Sequence, residues 1–157
     1  MTIETTDTLV VGGGQAGIAT SEHLTKLGIP HIVLERGRIA ERWRSQRWDS
    51  LVANGPAWHD RFPNLEFTGE GPDDFPAKER IADYFVEYTE KFTAPIRTGV
   101  EVKSVERNEG EAGFTIETSA GTIKANRVVA ATGPFQVPVI PAIAPEDDSL
   151  YQIHSAD

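Results

Sequence analysis

Thr8-Leu9-Val10-Val11 is a short apolar, β-branched run that stops at Gly12-Gly13-Gly14. Beyond it, Ala16, Ala19, Leu24 and Leu27 recur at roughly helical spacing, which predicts a helix. Gly28 is placed to end that helix as a left-handed cap, and Pro30 prevents its continuation. His31-Ile32-Val33-Leu34 is a second strand of the buried type, closed by Glu35. Strand, glycine turn, helix and strand within about 30 residues have the size of a βαβ crossover. Such a unit has parallel strands and a right-handed connection.

Downstream, Arg38 to Trp43 reads as one helical turn. From Arg44 to Pro76 the pattern is irregular and rich in Gly, Pro, Asn and Asp, which marks a long functional loop. Its aromatics, Trp48, Trp58, Phe62, Phe67 and Phe75, argue against disorder. Lys78 to Phe92 is an amphipathic helix with Ile81, Tyr84, Phe85 and Tyr88 on one face, read as core. Ile96 opens an extended region. Val100–Val105 and Phe114–Thr118 alternate with period two, and Asn108-Glu109-Gly110 and Ala120-Gly121 are turn signals. Together they predict a three-stranded antiparallel meander. Arg127-Val128-Val129-Ala130-Ala131 reads as a fully buried strand running into Thr132-Gly133-Pro134. The expected fold class is therefore α/β: a Rossmann-like domain with a parallel sheet and an inserted three-stranded antiparallel β-meander.

The chain has 157 residues, 39% hydrophobic and 25% charged, which suits one soluble globular domain. A net charge of -9 makes nucleic acid an unfavourable partner. The arginines between Arg36 and Arg47 are the local exception. Cysteine is absent, which excludes disulfides, thiolate metal sites and electron relay through a cysteine pair. His23, His31, His59 and His154 show no metal-ligand spacing, so no metal is expected. The first residues carry neither a basic n-region nor an apolar h-region, and the most apolar stretch, Val128 to Ile143, is broken by prolines. No membrane association is expected, and a cytoplasmic location follows by default.

Gly12-Gly13-Gly14-Gln15-Ala16-Gly17 satisfies G-x-G-x-x-G. Gly12 permits a tight turn out of the strand, Gly14 lets a diphosphate approach the backbone, and Gly17 lets the helix lie close to the strand. The helix N-terminus, around Gln15 and Ala16, offers unpaired N–H groups and the positive end of a dipole. Glu35 ends the next strand, near the ~20-residue spacing of an acid that grips the ribose. Its carboxylate would repel a 2′-phosphate, so the turn is not expected to hold NADP. The glycine pattern alone does not separate FAD from NAD.

A resemblance separates them. Residues 1–36 resemble the FAD-binding segment of the two-dinucleotide-binding-domain flavoproteins, and Ala131-Thr132-Gly133 resembles their second motif, at the end of a strand after a meander. Within that superfamily the chain looks like the flavin-containing monooxygenases and their bacterial relatives. Trp43-Arg44, Trp48 to Asn54, Phe62-Pro63, Phe75-Pro76-Ala77-Lys78 and the prolines Pro138 and Pro141 carry this likeness. Two departures stand out. Ala40 and Glu41 occupy places where the family often has glycine. Of the signature F-x-G-x-x-x-H, His154 is in place but Asp148 and Leu150 stand where Phe and Gly belong.

The resemblance implies FAD bound through Gly12, Gly14, Gln15, Ala16, Gly17, Glu35 and Arg36, with Thr132 and Gly133 lining the site and Trp43 and Arg44 covering the flavin or its phosphates. Asn54 matches an asparagine near the flavin and is the candidate catalytic residue. The implied activity is NAD(P)H-dependent monooxygenation of a small organic substrate through a flavin C4a-hydroperoxide. Family members carry a second glycine motif, for NADPH, shortly after the position of His154, and then a return of the chain into the FAD domain. Residues 1–157 are accordingly expected to be the N-terminal portion of an FAD-binding domain. The NADPH domain would then come from a missing region or a partner chain. The alternatives are a non-catalytic FAD-binding module that needs such a partner, and an NAD-binding dehydrogenase domain. A flavoprotein disulfide reductase is disfavoured because there is no cysteine pair.

Overall fold

The strand-turn-helix-strand unit is present with the expected connectivity. The structure, a computed structural model, describes residues 3–134, 137–141, 149, 151 and 153. Asp148, Leu150 and His154 lie outside the described residues. In chain order the elements are β1 (Glu4–Val11), α1 (Gln15–Lys26), β2 (His31–Glu35), α2 (Glu41–Ser45), α3 (Lys78–Lys91), β3 (Ile96–Thr98), β4 (Val102–Arg107), β5 (Phe114–Thr118) and β6 (Gly121–Ala130). One six-stranded sheet runs in the order β3-β2-β1-β6-β5-β4. Strands β3, β2, β1 and β6 are parallel, whereas β6, β5 and β4 form the antiparallel meander.

Helix α1 ends as its sequence predicts. Gly28 has φ 66°, its amide donates to the Thr25 carbonyl, and the Ile29 amide donates to Leu24. This pair of bonds is a Schellman motif, which satisfies carbonyls that would otherwise be orphaned. Leu9 and Val11 of β1 share a face with Ile32 and Leu34 of β2, and that face packs on Ile116, Ile123 and Ala125 of the meander. Full burial of a side chain such as Leu9 is worth roughly 1.5–3 kcal/mol.

The structure corrects the sequence reading at several points. Strand β1 starts at Glu4 rather than Thr8. Its polar first half pairs with Ile123–Ala125, and Glu4 binds Arg97 through two hydrogen bonds of 2.6 Å. The third meander strand and the strand read as fully buried are one continuous element, β6. Arg127 and Ala130 are exposed and Val128 and Val129 half-buried, because β5 pairs with β6 only as far as Ala125. The helical turn expected at Arg38–Trp43 falls at Glu41–Ser45. Ala40 takes a left-handed φ of 58°, and Arg38 closes on the Glu41 carboxylate at 2.7 and 2.9 Å.

Irregular as expected, the segment between α2 and α3 is held by α3. Phe62 stacks on Tyr88 at 4.4 Å and on Tyr84 at 5.7 Å, and Phe67 stacks on Tyr84 at 3.9 Å. The Tyr84 hydroxyl accepts the Phe62 amide and donates to the Leu65 carbonyl, both at 2.6 Å. Lys91 reaches the Asn64 carbonyl, and Arg80 the Thr68 carbonyl. Trp48, Trp58 and Phe75 of the same segment are exposed.

Candidate cofactor-binding site

Strand β1 lies between β2 and β6, so the strand order switches sides at β1, with β2 and β3 on one side and β6 on the other. Such a switch point opens a crevice beyond the carboxyl ends of the strands, where ligands of α/β sheets bind. The glycine turn occupies that crevice. Gly12 donates to the Leu34 carbonyl at 2.8 Å, and Ala131 donates to Val11 at 2.8 Å, so the turn bridges the ends of all three strands. Gly12 has φ 113°, and a Cβ there would overlap the Ala131 carbonyl. At Gly17 a Cβ would overlap the Gly12 carbonyl oxygen, which is the close approach of helix to strand that the motif requires.

Gly14 is different. A Cβ at Gly14 would meet nothing within 4 Å. The protein itself does not need glycine there, and the space faces a cleft of about 850 Å³. The first intrahelical bond of α1 runs from the Ile18 amide to the Gly14 carbonyl at 3.0 Å. The amides of Gln15, Ala16 and Gly17 thus have no acceptor within the helix, and the first turn of α1 contains no acid. A diphosphate fits such a cradle.

Glu35 stands at the mouth of the turn. One carboxylate oxygen accepts the Gly13 amide at 2.8 Å and the other accepts the Gly37 amide at 2.8 Å. Both bonds hold the carboxylate without using its full capacity, since each oxygen can accept a second hydrogen. Gly13 is itself constrained, because a Cβ there would stand 2.9 Å from the Glu35 Cβ and from Ile96 Cδ1.

Gly12, Gly14, Gln15, Ala16, Glu35, Arg36, Trp43, Thr132 and Gly133 all line the cleft. Gly17 is buried beneath it. Trp43 is held edge-on to Phe85 at 6.4 Å. Two candidates sit elsewhere: Arg44 pairs with Asp83 of α3 at 2.8 Å, and Asn54 is exposed outside the cleft lining. Arg42 and Arg47 line the cleft too, and the sequence reading named neither as a site residue. Their signal was the arginine-rich stretch in an otherwise acidic chain. Burial, and then the charges of Arg36 and Arg47, hold the Arg42 guanidinium below the usual arginine value. Three cations therefore gather around a cleft in a chain of net charge -9. Glu41, also in the lining, is held down to about 2, first by its hydrogen bond with Arg38.

The fold is of the Rossmann type, with the glycine turn and Glu35 at its switch point. A family model described as pyridine nucleotide-disulphide oxidoreductase matches residues 9–157, and the chain belongs to this family. It is 41% identical over 152 residues to a CzcO-like oxidoreductase of Geobacillus kaustophilus, covering 96% of this chain and 42% of the relative. It is 30% identical over 141 residues to the indole-3-pyruvate monooxygenase YUCCA6 of Arabidopsis thaliana, covering 87% of this chain and 34% of the relative. Among solved structures, a variant flavin monooxygenase from Stenotrophomonas maltophilia superposes with a TM-score of 0.76 at 25% identity, covering 88% of this chain and 41% of that one. The chain thus spans less than half the length of these relatives. Within the family it is similar to flavin monooxygenases, and these 157 residues, without cysteine, hold no disulfide redox centre.

Proposed function

We propose that the cleft binds FAD and that the chain is the FAD-binding portion of an NAD(P)H-dependent monooxygenase acting on a small organic substrate. The observation that carries this reading is the Glu35 carboxylate, tied to the amides of Gly13 and Gly37 beside an open helix N-terminus. Glu35 accepts the adenosine ribose hydroxyls, and the amides of Gly14, Gln15 and Ala16 cradle the diphosphate. Arg36, Arg42 and Arg47 neutralise diphosphate charge. Thr132, Gly133 and Trp43 line the remainder of the cleft. Bound flavin supplies hydride acceptance from NAD(P)H and activation of O2. This chain's residues contribute binding, orientation and exclusion of water. The roles of Asn54 near the flavin and of Arg44 as a cover also belong to this proposal; Asn54 stands outside the cleft lining and Arg44 pairs with Asp83.

The test is to purify the chain, record its visible spectrum, release the bound chromophore by heating, and then assay NADPH oxidation. A yellow protein releasing FAD supports the reading. NADPH turnover supports an active monooxygenase portion, and yellow protein without turnover supports an FAD module that works with a further domain. A colourless chain that binds NAD and not FAD overturns the reading.

A further inference from the structure

Lys78 is the first residue of α3, and its side chain is only 6% exposed. Two effects oppose an ammonium there. Burial removes its hydration, and a cation at a helix N-terminus opposes the helix dipole. Three oxygens offset this cost. Lys78 Nζ donates to the Arg47 carbonyl at 3.1 Å and to Asp49 Oδ1 at 3.1 Å, with Glu79 Oε1 at 3.7 Å. The Lys78 amide also donates to the Leu51 carbonyl at 3.0 Å. One helix residue therefore grips the loop from Arg47 to Leu51 at both ends. The backbone of Arg47 is fixed by this grip; Arg47 lines the cleft, and its charge acts on the Arg42 guanidinium, which lines it too.

We propose that Lys78 is a positioning residue for diphosphate binding: its ammonium, bonded to the Arg47 carbonyl and the Asp49 carboxylate, sets the Arg47 guanidinium in the cleft. The proposal rests on the reading of the cleft as the FAD site. A purely structural lysine would hold the loop without any preference among ligands. A positioning lysine acts on ligands that carry the diphosphate, and only while Arg47 is present.

Titration calorimetry with ADP and with adenosine separates the two, using the wild-type chain, Lys78→Met, Arg47→Ala and the double variant. Lys78→Met is expected to weaken ADP about tenfold and adenosine less than about twofold, the size of one charged hydrogen bond lost. The double variant is expected to bind ADP no more weakly than Arg47→Ala alone. Equal losses for ADP and adenosine, or additive losses in the double variant, overturn the proposal. Asp49→Asn keeps the test open should Lys78→Met fold poorly. Removing that anion strengthens ADP binding by charge alone, whereas loss of positioning weakens it, so unchanged or tighter ADP binding by Asp49→Asn overturns the proposal. A wild-type chain that binds neither FAD nor ADP overturns the cleft reading and this proposal together. ADP binding that Lys78→Met leaves unchanged overturns this proposal alone.

Discussion

The Glu35 carboxylate accepts the Gly13 amide at 2.8 Å, so the acid at the tip of β2 is tied directly to the glycine turn at the end of β1. With the Gly37 amide on its second oxygen, the carboxylate is already in place to receive a ligand. Such preorganisation lowers the ordering cost of binding. Glu35→Gln keeps the size of the side chain but replaces one charged acceptor with a donor. FAD affinity measured by fluorescence quenching should fall by about tenfold or more. An unchanged dissociation constant would remove the ribose role from Glu35.

Gly14 and Gly17 belong to one motif but answer to different partners. A Cβ at Gly17 overlaps the Gly12 carbonyl, so Gly17→Ala should lower folding stability by about 1–3 kcal/mol in a denaturant melt. Gly14→Ala meets open space and should leave the unliganded melt nearly unchanged while weakening FAD and ADP. Loss of stability in Gly14→Ala equal to that in Gly17→Ala would mean that the cleft is not the reason for glycine at Gly14.

Tyr84 and Tyr88 lie one turn apart on α3 and should respond oppositely to loss of the hydroxyl. Tyr84→Phe leaves the Phe62 amide and the Leu65 carbonyl without their shared partner and should cost about 1–3 kcal/mol. Among the described residues the buried Tyr88 hydroxyl has no partner within hydrogen-bond geometry, and burial, then the neighbouring Glu22 carboxylate, pushes its pKa up to about 12. Tyr88→Phe keeps the stack on Phe62 and should be neutral or stabilising by up to about 1 kcal/mol. Chemical melts of the two variants check the contrast.

Acid should loosen the α2 turn. Glu41 is lowered from the ordinary value of 4.5 to about 2, chiefly by Arg38. A depressed folded pKa contributes stability that is fully present above 4.5 and is lost as the pH falls through about 2. The stability difference between wild type and Glu41→Gln should therefore be largest above pH 4.5 and vanish only below about 2. A difference that is independent of pH would show that Arg38 does not hold the carboxylate.

What the sequence disclosed follows from how far each signal reaches along the chain. The βαβ unit was legible because period-two and helical periodicities meet at glycines whose backbone roles have few substitutes. The meander was legible through alternation and its turn glycines. Continuity of β6 was not, since Asn126 and Arg127 interrupt the apolar run although the backbone continues pairing with β1. The course of the segment after α2 depends on Tyr84 meeting Phe62 and Leu65, and on Lys78 meeting Arg47, contacts between positions far apart in sequence. At the site, Glu35 and the glycines were legible as residue types. The amides of Gly13 and Gly37 that hold Glu35 were not, because every residue but proline carries such a donor. Arg42 and Arg47 showed only as a local excess of charge until the fold brought them to the cleft.

A crystal structure of the chain with FAD tests the central claim most directly. The account predicts the adenosine ribose on the Glu35 carboxylate and the diphosphate against the amides at the start of α1. Nucleotide bound away from the glycine turn, or a ribose that leaves Glu35 untouched, would contradict it.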